Sequence, residues 1–241
     1  MTLKRSATST SSETPNKKLK VEVFTINDTN RDYQDPKADI TLVSSDGLRF
    51  KVHSYVLKTA GKEIELTDKL IERSPVLSLF LYLCHGKPMS FPSEDTTLVL
   101  YNDLIKFAHK YDSPRVLETL TTSVYRWHHE ENLSLWIVLH LGLTLQKPKL
   151  VAFAIRYSMH SSWHIKEKAT EEEKVKARNP VGTVGNVAGV SWLDFSAWSL
   201  STFKNVPTDY MFALLRAYKH GGDDPEKVAD GFLQIMKEMG E

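Results

Sequence analysis

Apolar and polar residues alternate across Ile40 and Leu42 and again across Leu48, Phe50 and Val52, and the residues between them include Ser45-Asp46-Gly47. A period of two puts such side chains on one face of paired strands, and Gly47 can take the positive φ that a tight hairpin turn requires. The period then lengthens. Ser54 stands where an N-cap would, and Tyr55, Val56 and Leu57 open a helix whose apolar side must cover the hairpin just completed. Glu63 to Thr67 reads as a further short strand. Leu77, Phe80, Leu81 and Cys84 then recur at i, i+3, i+4 and i+7, with Val76, Leu79 and Leu83 beside them, which predicts a helix buried on most sides.

Beyond Leu120 the pattern stays helical. Asn132 is placed to cap a segment rich in Leu133, Trp136, Ile137, Leu139 and Leu143, and Pro148 suits the first turn of a helix running through Val151, Ala154, Ile155 and Tyr157. Lys166 to Arg178 is nearly all charge and alanine, a solvated helix or a loop, and with the glycines between Pro180 and Gly189 it sets the last third of the chain apart. Two final helices are predicted, one around Tyr210 to Tyr218 and one from Pro225 to Met239, where Val228, Phe232, Ile235, Met236 and Met239 share a face.

The segments Ala38-Asp39-Ile40, Phe50 and His53-Ser54-Tyr55-Val56-Leu57 resemble the opening signature of BTB/POZ domains. Two further segments fit in the same order. Asp68 to Gly86, with Leu77, Phe80, Leu81 and Tyr82, resembles the family's third strand and middle helices, and Leu104 to Leu120, with Ala108, Lys110-Tyr111-Asp112 and Pro114, resembles its helical pair. The spacing around Ser74-Pro75-Val76-Leu77 is similar to BTB proteins common in fungi. Several elements in order are more specific than any single motif. The resemblance implies a BTB/POZ fold of a small sheet with clustered helices over residues 35–120; with the helical pattern beyond it, an α+β chain is expected, with an all-helical extension over 121–241 and a charged, Gly-containing loop near 166–190. Residues 1–34 are expected to form a disordered, basic, Ser/Thr-rich segment.

BTB domains homodimerise, join transcriptional or chromatin assemblies, form channel-associated oligomers, or adapt substrates to cullin-type ubiquitin ligases. The resemblance therefore implies a non-enzymatic protein–protein interaction module, a homodimer through the BTB-like unit that acts as scaffold or adaptor. The family's Asp at the position of Asp39 lies near the surface used for partner contact, which makes Asp39, Ile40, Leu42 and His53 the interface candidates. A local alternative stays open for two of them. Asp39 would cap or pair nearby, and His53, for which this reading is preferred, would hydrogen-bond within the hairpin–helix corner. After Val56-Leu57-Lys58-Thr59-Ala60 the family's Ser-x-x-Phe continuation is replaced by Gly61-Lys62-Glu63-Ile64. The cullin contact normally uses the helix near that point, so the ubiquitin-ligase adaptor is the alternative rather than the first expectation.

Composition narrows the setting. A chain of 241 residues with 41% hydrophobic residues can bury a sizeable core, and a net charge of +1 supplies no global field to recruit nucleic acid or an anionic membrane. The single cysteine, Cys84, excludes an internal disulfide and suits a reducing compartment. No apolar run approaches the roughly 20 residues that span a bilayer. An intracellular protein is expected, with protein partners, no membrane and no direct nucleic-acid contact. Lys4-Arg5 and Lys17-Lys18-Leu19-Lys20, separated by a polar spacer, have the layout of a bipartite nuclear import signal, which favours the nucleus over the cytoplasm; a basic solvated tail is the plain alternative.

Enzymatic readings find little support. His128-His129-Glu130-Glu131 contains adjacent histidines, which point to different helix faces, and no HExxH. His160 and His164 have i, i+4 spacing but no further ligands in sequence, and Gly182, Gly185 and Gly189 match neither a Rossmann fingerprint nor a P-loop. No catalytic residue, cofactor or metal ligand is assigned; an enzyme with an unrecognised site is the second alternative.

Overall fold

A computed structural model describes residues 33–54, 63–89, 91, 95–131, 133–158, 170–178, 187–188, 191 and 193–240. The described chain is α+β, a three-stranded sheet with nine α-helices. Strands β1 (Ile40–Val43) and β2 (Arg49–Val52) pair antiparallel with Ile40 opposite Val52 and Leu42 opposite Phe50. That register gathers the four alternating side chains on one face, and all four are buried. Gly47 takes φ +85° in the connecting loop, where its N–H donates to the Ser44 carbonyl over 2.8 Å. Leu48 departs from the predicted alternation. It lies in the loop ahead of β2 and is exposed, because the pleat begins only at Arg49.

Strand β3 (Glu63–Glu65) runs parallel to β1 on its other side, so the sheet order is β2-β1-β3 and β1 is central. The folded unit starts earlier than residue 35. Tyr33 is buried with its ring 6.0 Å from that of Phe50, and Gln34 bridges to Lys51 while its Nε2 donates to the Arg49 carbonyl over 3.0 Å. The expected N-terminal segment of 1–34 therefore loses its last two residues to the sheet. The helix predicted from Ser54 onward lies outside the described residues after its first position.

Helix α1 (Ser74–Cys84) carries its apolar residues around most of its circumference, and Val76, Leu77, Leu79, Leu81 and Leu83 are all buried. Its N-terminus is satisfied from the hairpin turn. The Asp46 carboxylate accepts the Ser74 N–H at 3.0 Å, the Ser74 hydroxyl at 2.7 Å and the Ser44 hydroxyl at 2.5 Å. The turn thus supplies the anion that the helix's open N–H groups and dipole favour. Helices α2 (Asp95–Lys110) and α3 (Pro114–Glu131) pack on α1 and on each other, with Phe107 ringed against Phe80 and Trp127 stacked on Tyr101 at 5.4 Å.

The predicted boundary at residue 120 falls inside α3, which runs unbroken to Glu131, and one apolar core continues from the sheet to the last helix. Helix α4 (Leu135–Thr144) is capped by the Ser134 hydroxyl, not by Asn132, which lies outside the described residues. Pro148 opens α5 (Pro148–Arg156), as predicted from its fixed φ. The charged run resolves in part into a solvated helix, α6 (Glu171–Arg178). Short α7 (Leu200–Lys204) precedes α8 (Thr208–Gly221) and α9 (Pro225–Met239), and α9 packs on both α8 and α5. Val228, Phe232 and Met236 fill that contact, while Met239 in the final turn is exposed. The α8–α9 corner demands glycine at 221, where a Cβ would stand 2.6 Å from Val228 Cγ2 and 2.7 Å from its backbone nitrogen. No described helix is long and apolar enough to cross a membrane.

Phe50 and Leu48 offer a paired check, since one is core and the other surface although they share a predicted face. Phe50→Ala is expected to cost about 3–5 kcal/mol in urea unfolding, and Leu48→Ala about 0.5 kcal/mol or less. Equal losses would contradict the placement.

Candidate functional site

Asp39 and His53 sit at the corner where the hairpin ends, both at or near the surface. Asp39 precedes β1 directly and Ser54 follows β2 by two residues, so the pairing of Ile40 with Val52 brings them face to face. One Asp39 carboxylate oxygen accepts the Ser54 N–H at 2.7 Å and the other accepts its hydroxyl at 2.6 Å. These two bonds, the hydroxyl's first, hold the Asp39 carboxyl below its ordinary value. His53 Nε2 meets Asp35 Oδ2 at 3.2 Å, and Asp35 Oδ1 accepts the Lys37 N–H at 2.8 Å. That backbone bond, with the histidine second, lowers the Asp35 carboxyl. Asp39 and His53 are thus engaged within the corner, as the local alternative describes. The exposed carboxylates of Asp35 and Asp39 still present a small acidic surface.

The other two interface candidates stand elsewhere. Ile40 is 2% and Leu42 4% exposed, and both side chains face the core of their own chain. This corrects their assignment to a partner surface: β1 is the central strand of the sheet, so its apolar face is already covered from within. Of the four candidates only Asp39 and His53 share one exposed locus. Lys4, Arg5, Lys17, Lys18 and Lys20 lie outside the described residues, as do His160, His164, Gly182, Gly185 and Gly189.

A stronger polar constellation forms where the loop before α1 meets the end of α2. Glu72 is 1% exposed, and its carboxylate accepts Lys110 Nζ at 2.6 Å, the Tyr111 hydroxyl at 2.5 Å and the Asp68 N–H at 2.6 Å. Its carbonyl accepts the Ser45 N–H from the hairpin turn at 2.9 Å. Burial would raise this carboxyl, but the bonds from Lys110, Tyr111 and the Asp68 backbone prevail and hold it at about 2. Lys110 is raised in turn by its bond to Glu72, and Tyr111 is raised by burial and by the same carboxylate. Both Glu72 carboxylate oxygens are taken up by these donors, and the partly exposed Asp68 carboxylate lies 3.7 Å from Lys110, so the cluster ties the loop to the end of α2.

The remaining sequence features also become local structure. His128 Nδ1 bonds the Leu133 carbonyl at 2.8 Å, and the His128 ring meets that of Phe153 edge-on at 5.3 Å, with the His129 ring 6.2 Å from Phe153. Cys84 is half-buried, and burial pushes its thiol up to about 11, which disfavours the reactive thiolate. Among the described residues no group of three or more His, Cys, Asp or Glu could hold a metal ion. Sequence reasoning missed Asp46 as a helix cap and Glu72 as a hub. The available signal was a Pro at the second position of α1, which marks a helix start needing an outside cap; Glu72, flanked by Ile71 and Arg73, carries no comparable local mark.

Compared with known proteins, the chain matches no family model, no curated protein and no solved structure.

The Glu72 cluster fixes a pH window. A carboxyl held at about 2 when folded, against an ordinary 4.5, contributes stability fully above about pH 5 and loses it as pH falls toward 2. The contribution is on the order of 3 kcal/mol. Glu72→Gln is expected to lower urea-unfolding stability at pH 7 by about that much, and to flatten the acid dependence between pH 5 and pH 2. An unchanged acid profile in the variant would show that other carboxylates carry the transition.

Proposed function

We propose that residues 33–131 form a BTB/POZ-type interaction module and that the chain acts as a non-enzymatic scaffold or adaptor that self-associates through it. The observation that carries this reading is the packing of the three segments on which the resemblance rests. The hairpin, the buried α1 and the α2–α3 pair form one unit, and Lys110 and Tyr111 of the third segment bond Glu72 of the second, which bonds the hairpin turn. The tie explains why a Lys-Tyr pair is needed at the end of α2: a buried carboxylate must be met by donors. The Asp35/Asp39/His53 corner is the proposed contact surface, since it places ionisable groups at the sheet's margin without committing them to the core.

Light scattering on the full chain tests the first part. A mass near twice 27.5 kDa at tens of micromolar supports self-association, and a monomer throughout refutes it. Asp39 separates contact from capping. Ser54→Ala deletes the hydroxyl's bond to Asp39 while the backbone bond stays, and Asp39→Asn keeps one acceptor oxygen but loses the charge that strengthens both bonds, so both should lower the melting temperature modestly. Only Asp39→Asn should also shift the monomer–dimer equilibrium. If both variants leave the mass unchanged, Asp39 is a capping residue alone.

The N-terminal clusters support a nuclear setting: Lys4-Arg5 and Lys17-Lys18-Leu19-Lys20 would lie in two acidic grooves of an import carrier. Replacing Lys17, Lys18 and Lys20 by Ala should release a fluorescent full-length fusion into the cytoplasm. An unaltered distribution would refute the signal.

A further inference from the structure

Helix α8 carries two opposed stripes. Tyr210, Ala213, Leu214 and Ala217, at i, i+3, i+4 and i+7, are buried, chiefly against α9. Phe212, Leu215, Arg216 and Lys219 repeat the same spacing on the other side and are exposed. At 100° per residue the two stripes lie nearly opposite each other. An outer face of a surface helix is ordinarily polar and mixed in charge, and α9 shows that ordinary case with Glu226, Lys227, Asp230, Gln234, Lys237 and Glu238 exposed. The outer face of α8 instead joins two large apolar side chains, Phe212 at 45% and Leu215 at 47% exposure, to two cations, with one half-buried carboxylate, Asp209, in its first turn.

The cations are arranged for use. The Arg216 guanidinium lies 4.8 Å over the Phe212 ring, which holds the long side chain against the apolar surface. Among the described residues neither Arg216 nor Lys219 pairs with a carboxylate. We propose that the outer face of α8 is a docking surface for an acidic amphipathic helix of another protein. Aliphatic side chains on that helix would cover Phe212 and Leu215, and flanking carboxylates would meet Arg216 and Lys219.

Charge complementarity selects this occupant over others. A second copy joined about a two-fold axis would set Arg216 and Lys219 against themselves, a like-charge contact with nothing to offset it. Residues 1–32 of the chain itself carry six cations, Lys4, Arg5, Lys17, Lys18, Lys20 and Arg31, against four carboxylates, a net charge of the wrong sign. The carboxylates of Glu171 and Glu172 on α6 already pair with Lys174 and Lys176 of the same helix. A nucleic acid would be met by a longer track of cations than two beside aliphatic surface.

The test is fluorescence anisotropy with the full chain and three labelled probes: a helical peptide of about four turns with leucines on one face and glutamates flanking them, the same peptide with lysine for glutamate, and a single-stranded RNA of similar length. The acidic peptide should bind, more weakly as salt rises, and the lysine peptide should not. Arg216→Glu with Lys219→Glu should weaken binding about tenfold or more, as should Phe212→Ala with Leu215→Ala, with melting temperatures unchanged because all four side chains are exposed. No binding of the acidic peptide at ~100 μM, equal binding by the charge-reversed variant, or tighter binding of the RNA would each overturn the proposal.

Discussion

Among the described residues Glu72 is the one charged residue the fold buries, and its need for donors organises the N-terminal half of the molecule. Left unpaired, such a carboxylate would cost several kcal/mol in lost hydration and would drive its own protonation. Its donors come from three places at once: a backbone N–H of the loop after β3, a lysine at the end of α2, and the tyrosine that follows it. The sheet turn is tied to the same residue through its carbonyl. Asp46, the residue after Ser45 in that turn, repeats the device more openly by capping α1. The sheet is small, four residues or fewer per strand, and could not orient a helix by area alone. Two carboxylates aimed from loops fix α1 on it instead.

The apolar part of this arrangement was legible in the chain. The facing of Ile40, Leu42, Phe50 and Val52, the all-round burial of α1 and the bounds of α9 follow from period and from Pro placement alone. Contacts distant in sequence were not legible. Ser74 and Asp46 are 28 residues apart and Tyr111 and Glu72 are 39 apart, and no local pattern marks a carboxylate that will be satisfied from so far away. Boundaries failed for a related reason. A resemblance ends where its motif ends, at Leu120, whereas α3 continues because Val124 and Trp127 still face the core.

The same distinction separates the interface candidates. Ile40 and Leu42 alternate with polar neighbours, which says that one face of the strand is covered but not by what; in a central strand the cover is the chain's own helices. Asp39 and His53 lie beyond the ends of the strands, where the ladder no longer constrains side chains. Their polar groups can pair locally and remain accessible, which is the condition for a carboxylate to serve a corner and a partner together.

The packing runs from the sheet to α1, to the α2–α3 pair, to α4, α5, α9 and finally α8, while α6 is solvated and α7 has no buried residue. A surface helix at the end of that series would be expected to turn polar on its outer side, as terminal repeats of stacked helices do. α8 does not. Its buried stripe uses alanine at two of four positions, Ala213 and Ala217, so that α9 can approach closely, while the large Phe212 and Leu215 are spent on the outside. A helix selected only to close the stack would reverse that distribution, because burying the large side chains instead would stabilise the fold at roughly 25 cal/mol per Å² of apolar surface removed from water. That distribution is the one the docking surface proposed for α8 requires, with Phe212 and Leu215 left for a partner to cover.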